Sequence, residues 1–85
     1  MLNCLFHPKA EKELDRLPSK IREQIKAKIE QLTQLAHPLQ HPKVRKLRGE
    51  SDKFRMKSGD YRIKFVLINT ETVKITHIQH RQVGY

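Results

Sequence analysis

Apolar and polar residues alternate at the very start of the chain and then change to a helical spacing. The alternating apolar residues are Leu2, Cys4 and Phe6, which predicts a short strand with one face on a core. Pro8 ends that strand and suits the first turn of a helix, where its missing N–H would have no partner. Apolar residues then recur at Ala10, Leu14 and Leu17. The pattern therefore predicts a strand followed by a helix over about residues 8–17.

A second and longer helix follows Pro18, which closes one segment and can open the next. Its apolar positions step by four, four, three and three: Ile21, Ile25, Ile29, Leu32 and Leu35. The opposite face carries charged residues and reads as a solvated surface. Two amphipathic helices in succession predict a helical hairpin packed on a sheet.

The segment from His37 to Lys43 contains Pro38 and Pro42, which exclude a regular helix, so it is predicted to be a loop. The His37 and His41 pair has the spacing of metal ligands on a helix face. Because these prolines prevent such a helix and no Cys or carboxylate lies nearby, no metal site is expected.

Strict alternation returns at Lys53-Phe54-Arg55-Met56-Lys57, which predicts a strand with one apolar face and one cationic face. Ser58-Gly59 reads as a two-residue hairpin turn. That turn would place Lys57 opposite Asp60, Met56 opposite Tyr61, Arg55 opposite Arg62, Phe54 opposite Ile63 and Lys53 opposite Lys64. Residues 61–68 and 72–79 are predicted as two further apolar-rich strands, joined by the turn Asn69-Thr70-Glu71. Cation would then face cation, a mildly destabilising arrangement that an anionic ligand would relieve.

Composition fits a single domain over residues 1–85, with room for one modest core but not for a deep cofactor cleft, so no cofactor is expected. Cys4 is the single cysteine, and neither a leader segment nor a long apolar run is present in the sequence, so a soluble cytoplasmic protein is expected.

Net charge is +9 and it is unevenly distributed along the chain. Residues 1–42 carry seven basic and five acidic side chains, whereas residues 43–85 carry eleven and four. A one-sided positive field favours a polyanion such as nucleic acid over a membrane surface, because no helix combines a basic face with aromatic anchors.

The chain ends with His80-Arg81, three intervening residues and then Tyr85. An imidazole, a guanidinium and a phenol just after a strand form a plausible phosphate-handling group.

Taken together, these segments resemble the RelE/ParE superfamily of toxins from toxin–antitoxin systems. The resemblance covers essentially the whole chain, and its most specific parts are Leu47-Arg48-Gly49, Gly59-Asp60-Tyr61-Arg62 and the C-terminal segment. It implies an α+β fold with an N-terminal strand, a helical hairpin and antiparallel strands in one sheet covered by helices on one face. It also implies a complex with an acidic cognate antitoxin. The RelE branch cleaves mRNA in the ribosomal A site, whereas the ParE branch acts against DNA gyrase.

By position, the resemblance places a RelE-like active surface at Arg55, Lys57, Arg62, Arg81 and Tyr85. Further contacts with RNA or the ribosome are expected from the neighbouring cations Arg45, Lys46, Arg48, Lys53 and Lys64. The family commonly has lysine where this chain has Arg55. Because arginine stays protonated in proteins, the role of Arg55 would be electrostatic.

Metal-independent RNA cleavage proceeds by attack of the 2′-oxygen on the adjacent phosphate, and it needs a base, charge stabilisation and an acid. Lys57 is the leading base candidate because neighbouring positive charge favours the neutral form of a lysine. The three arginines would hold the phosphate oxygens, and Tyr85 would stack on a base or donate a proton. His80 is the competing acid or base, whereas His77 is expected to be structural.

Two other functions remain open on the sequence. One is a ParE-like inhibitor of gyrase that catalyses nothing. The other is a simple RNA-binding module, which is weaker because the strands lack interleaved aromatic residues for base stacking.

Overall fold

The computed structural model describes residues 1–49 and 52–82 of the chain. In chain order the elements are β1 (Asn3–Phe6), α1 (Pro8–Asp15), α2 (Ser19–Thr33), a 3₁₀ turn (Pro38–Gln40), β2 (Val44–Lys46), β3 (Lys53–Ser58), β4 (Tyr61–Asn69) and β5 (Thr72–His80). The five strands form one sheet in the order β1-β5-β4-β3-β2. The predicted α+β architecture is confirmed. One pairing differs from the rest, because β1 joins β5 in parallel whereas the other neighbours are antiparallel.

Both helices lie where the apolar spacing predicts them, and both end slightly early. The ring of His7 caps α1, since its Nδ1 accepts the backbone N–H of Lys9 at 3.0 Å. α1 stops at Asp15 and α2 at Thr33, so Leu17 and Leu35 lie just beyond the helices that their spacing suggested.

The core lies between the helical hairpin and one face of the sheet. Its fully buried members include Ala10, Ile25 and Leu32 from the helices. On the sheet side, Phe54 and Phe65 stack with ring centroids 5.5 Å apart. Burial alternates along β3, where Phe54 and Met56 are buried and their neighbours are not. The helices therefore cover one face of the sheet, and the other face carries the charge.

The predicted register of the β3–β4 hairpin is wrong. The turn is Gly59-Asp60 rather than Ser58-Gly59, because Ser58 stays in the ladder opposite Tyr61 and is buried. Gly59 has φ +58°, and no other kind of residue in the described chain has positive φ. A positive φ at the first turn residue alone fits a type II′ turn, which takes glycine there. Each residue of β3 is therefore paired two positions further along β4 than predicted.

β2 was not predicted. It has three residues, of which only Val44 is buried, so it carries too little alternation to be recognised. The loop before it is confirmed as non-α-helical, although Pro38–Gln40 form one 3₁₀ turn. Pairing with β3 defines the strand, with Val44 opposite Met56 and Arg45 opposite Arg55.

The strand β5 is irregular next to its centre. Lys64 pairs with His77 but the following residue, Phe65, pairs with Ile75, so Thr76 is an extra residue that bulges out of the ladder. The Oγ1 of Thr76 donates to the carbonyl of Lys64 at 3.2 Å. Beyond the end of β1, Glu13 of α1 covers the open edge of β5 by accepting the N–H of Ile78 at 3.0 Å. In the described part of the chain, neither helix is long and apolar enough to cross a membrane.

Candidate nucleic-acid interface

Six cations form two rows across the face of the sheet that the helices leave open. In the first row Lys57 pairs with Arg62 on β4, and its backbone N–H donates to the carbonyl of Lys43 at 3.1 Å. In the second row Arg55 lies between Arg45 on β2 and Lys64 on β4. We call these two rows the cation array: Lys43, Arg45, Arg55, Lys57, Arg62 and Lys64. Directly paired side chains have Cβ atoms about 4.5–5.5 Å apart, so each central cation has a like charge on both sides.

Most of the cation array surrounds a concavity of about 310 Å³. Its lining residues are Pro42, Lys43, Arg45, Arg55, Lys57 and Arg62. The structure thus brings together three residues predicted for the active surface, namely Arg55, Lys57 and Arg62. Three guanidinium groups and two ammonium groups line one concavity, and such charged donors suit the oxygens of a phosphate.

The loop before β2 is held against α2 by a buried histidine. His41 is only 5% exposed, its Nδ1 accepts the backbone N–H of Lys43 at 3.0 Å, and its Nε2 lies 3.0 Å from Oε1 of Gln31. These partners require a neutral ring with the proton on Nε2. Burial lowers the pKa of His41, and the positive charges of Lys28 and Lys43 lower it further. His41 therefore stays neutral and fixes the position of Lys43.

Arg45 is oriented by the same loop. Its guanidinium donates to the carbonyls of Pro42 at 3.3 Å and Val44 at 3.1 Å. These bonds hold the side chain along the rim of the concavity. The guanidinium is planar and presents its N–H donors in a rigid fork. This geometry matches the oxygens of a phosphate better than the single ammonium group of a flexible lysine does.

Arg81 lies at the end of β5, next to the hairpin turn. Its backbone N–H donates to the carbonyl of Asp60 at 2.7 Å, and its Nε lies 3.7 Å from Oδ1 of the same residue. Both side chains are more than half exposed, so this ion pair is weak. Asp60 thus offsets Arg81 and not Lys57, contrary to the predicted register. Tyr85 lies outside the described residues.

His80 lies on the other side of the sheet from the cation array. It pairs with Tyr61, and the two rings meet edge to face with centroids 5.2 Å apart. The next pair in the ladder, Arg62 with Gln79, has the opposite parity and faces the array. The Nδ1 of His80 also accepts the N–H of Gln82 at 3.3 Å. His77 lies at the edge of the sheet, with its Nδ1 3.9 Å from Oε1 of Glu13.

The cations predicted to bind RNA or the ribosome divide into two groups. Arg45, Lys53 and Lys64 lie on the open face. Lys46 pairs with Phe54 and has the parity of the helix-covered face, and Arg48 is exposed in the turn that follows β2.

Lys43 was missed by the sequence analysis, because it precedes a strand too short to recognise. The one signal in the sequence is its alternation with Arg45. In residues 1–49 and 52–82, no three His, Cys, Asp or Glu side chains are grouped as metal ligands.

Comparison with known proteins identifies a family that matches nearly the whole chain. The family model for the ParE toxin of type II toxin–antitoxin systems, parDE, matches residues 4–85. No curated protein matches the chain in sequence at a significant level.

Solved structures match over nearly the whole chain. A chain of the RelB–RelE antitoxin–toxin complex from Methanococcus jannaschii is 26% identical with a TM-score of 0.77, covering 92% of this chain and 91% of that one. A chain of the intact E. coli RelBE toxin–antitoxin complex is also 26% identical, with a TM-score of 0.77 and coverage of 94% and 96%. The isolated E. coli RelE toxin is 26% identical with a TM-score of 0.78, covering 94% and 84%.

Proposed function

This chain belongs to the ParE toxin family of type II toxin–antitoxin systems, within the RelE/ParE superfamily, and we propose that it is a ribosome-dependent mRNA endonuclease that inhibits translation. The superfamily contains both nucleases and non-enzymes, so family membership alone does not choose between them. The choice rests on the cation array. Three arginines and two lysines around one concavity on an open sheet face support catalysis at a phosphate.

The proposed reaction needs no metal. The 2′-oxygen of a ribose attacks the adjacent phosphate, the 5′-oxygen leaves, and a 2′,3′-cyclic phosphate forms. Lys57, at the centre of the first row between Lys43 and Arg62, is proposed to remove the proton from the 2′-hydroxyl. His80 is the weaker candidate for this role because its ring faces Tyr61 on the other side of the sheet.

Negative charge grows on the non-bridging oxygens as the attack proceeds. Arg55 and Arg62 line the concavity and are proposed to bind these oxygens through planar pairs of N–H donors. Arg81 lies at the end of the same face and is proposed to join them when RNA is bound. Tyr85 is proposed to stack on a base or to protonate the leaving oxygen.

The proposed partners follow from the charge of this surface. An acidic antitoxin would neutralise the cation array, forming a hetero-oligomer whose association weakens with salt. The structures of RelB–RelE and RelBE complexes support such a partner. In the absence of antitoxin, the single domain would act in the cytoplasm on ribosomes and mRNA in the A site.

Cleavage of A-site mRNA on purified ribosomes tests the proposal. We expect the wild-type chain to cut within codons, and Lys57→Ala to lower the single-turnover rate by at least two orders of magnitude. Tyr85→Phe separates its two roles, since a stacking ring tolerates the loss of the hydroxyl and a proton donor does not. Lys20→Ala is the matched control, because Lys20 is an exposed lysine of α2 and belongs neither to the array nor to the expected RNA or ribosome contacts. An unchanged cleavage rate in Lys57→Ala, with folding confirmed by circular dichroism, would contradict the role of Lys57 as the base.

The family description, which names ParE, favours a second candidate, a gyrase inhibitor without catalytic activity. Inducing the chain alone in growing cells distinguishes the two. We expect protein synthesis to fall before DNA synthesis and new mRNA ends to appear within codons. Loss of DNA supercoiling with intact mRNA would instead establish the gyrase function.

A further inference from the structure

A second concavity lies on the open face of the sheet, directly beside the cation array. Its volume is about 360 Å³. The side chains on its surface that matter here are Leu47, Lys53, Lys64, Val66, Thr76 and His77. It extends the same pattern of rows. Lys53 pairs with Val66, and its carbonyl accepts the N–H of Leu47 at 2.9 Å, so these three residues form a third row.

The two concavities differ in chemistry. The first is lined mostly by polar atoms of cations, whereas the second is mostly apolar and places Lys53 and Lys64 at its walls. A phosphate alone has no apolar surface that could contact the aliphatic side chains of Leu47 and Val66. A nucleotide has both an anionic group and a flat apolar base, and this combination matches the second concavity.

The continuity of the rows indicates the path that a bound RNA strand would follow across the sheet. Lys64 belongs to the second row of the cation array and also lines the second concavity, so the two sites share a wall. Along β3, Lys57 and Lys53 are four residues apart, which corresponds to roughly 13 Å. An RNA strand with a phosphate in the cation array would therefore pass over the third row with its neighbouring nucleotide.

The bulge at Thr76 shapes the far side of the concavity. Because Thr76 is an extra residue, both Thr76 and His77 contribute to the lining. Nδ1 of His77 lies 3.9 Å from the Glu13 carboxylate, which places the ring at the edge of the sheet beside α1. An imidazole ring in that position offers a surface on which a base can stack.

We propose that this concavity is a nucleotide subsite, which binds the base and ribose adjacent to the phosphate held by the cation array. The inference rests on the proposed function, because it takes the substrate to be RNA. It assigns apolar contact with the base to Leu47 and Val66, stacking to His77, and contact with the flanking phosphate to Lys53 and Lys64.

Binding of a dinucleotide that cannot be cleaved tests the subsite without any catalytic step. The probe is ApA with a 2′-O-methyl group on its 5′ ribose, titrated into the uniformly ¹⁵N-labelled full chain, with ribose 5-phosphate as the comparison ligand. We expect the dinucleotide to shift the amide resonances of Leu47, Val66 and Thr76, and ribose 5-phosphate to shift only those of the cation array. The dinucleotide should bind at least about fivefold more tightly, as expected for one stacked base.

Two variants assign the apolar contact. Val66→Thr keeps the shape of the side chain, and Leu47→Ser shortens a half-buried one. Each should weaken dinucleotide binding by about fourfold, the equivalent of one buried methylene, and leave ribose 5-phosphate binding unchanged. Ile68→Thr is the matched control, because Ile68 is on the same strand, is 51% exposed and does not line the concavity.

Two results would overturn the subsite. One is an identical set of shifted resonances for both ligands, confined to the cation array. The other is displacement of the dinucleotide by hexaglutamate with larger shifts at the third row, which would assign the surface to an acidic protein partner. If the wild-type chain binds the dinucleotide as expected but does not cleave mRNA on ribosomes, the proposed nuclease is rejected and the subsite is retained. The two failures are therefore distinguishable.

Discussion

Replacing Arg55 by glutamine should make the protein more stable and less active. Arg55 is the centre of the second row, with Arg45 on one side and Lys64 on the other. Glutamine keeps part of the side-chain stem and removes the charge. Two like-charge cross-strand contacts disappear, at about 0.2–1 kcal/mol each, so unfolding should require about 0.4–2 kcal/mol more free energy at low salt. For a domain of this size, about 1 kcal/mol corresponds to a rise of about 4–8 °C in Tm.

The assay is urea unfolding followed by circular dichroism, at about 0.01 M and about 1 M salt. The Debye length falls from about 30 Å to about 3 Å over that range, so the gain should be largest at low salt and nearly absent at high salt. Lys46→Gln is the matched control. It also removes a cation from the sheet, but Lys46 pairs with Phe54 and not with another charge, so its effect should stay within about 0.5 kcal/mol.

A loss of stability in Arg55→Gln at low salt, or a gain that persists unchanged at high salt, would refute the reasoning. The first result would mean that the aliphatic stem of Arg55 contributes more by packing than the charge costs. The second would mean that the change acts through something other than repulsion. The same variant should cleave mRNA more slowly, because it loses a charged donor to the phosphate.

Three further predictions concern single side chains. Arg62→Ala and Arg81→Ala should each lower the single-turnover cleavage rate by about two to three orders of magnitude with circular dichroism unchanged, and near-normal rates in both would exclude the proposed phosphate site. The pKa of His41 is lowered in the folded state, so as pH falls the unfolded state binds a proton before the folded state does. The contribution of His41 to stability is therefore fully present above pH about 6.5 and is lost as pH falls through the folded-state pKa. Urea unfolding between pH 8 and pH 5 should show a steeper decline for the wild-type chain than for His41→Asn, and equal slopes would contradict the lowered pKa. Burial raises the pKa of the Cys4 thiol to about 11. At pH 8 iodoacetamide should therefore modify native Cys4 about a hundredfold more slowly than the urea-unfolded chain, a difference that mass spectrometry measures.

The faces of the hairpin could be predicted even though its register could not. Moving the turn from Ser58-Gly59 to Gly59-Asp60 changes every partner on β4 by two positions. Because side chains alternate with a period of two, a shift of two keeps each residue on its own face, whereas a shift of one would have reversed them all. The cationic face was therefore correct, and the prediction that cations oppose cations survives with different partners.

The outer part of the site could not be read from the sequence, because it depends on contacts between distant segments. β2 has too few residues to show alternation, and its pairing with β3 is what places Lys43 beside Lys57. The contact of His41 with Gln31 joins a loop to α2 and has no local pattern. His41 was considered only as a metal ligand, yet its neighbours make it the residue that fixes the loop.

The division of the sheet into two faces explains how so much like charge is tolerated. The residues of the cation array point away from the core. Cations at these positions therefore take the place of no buried apolar side chain, and the core on the other face is unaffected. Each opposed pair costs at most about 1 kcal/mol, and salt screens part of that cost. Because small domains have about 5–15 kcal/mol of stability in total, a few such pairs can be carried where a polyanion is the ligand. A bound phosphate would reverse the sign of each of these interactions, so the same rows that weaken the free protein should make its complex with RNA more stable.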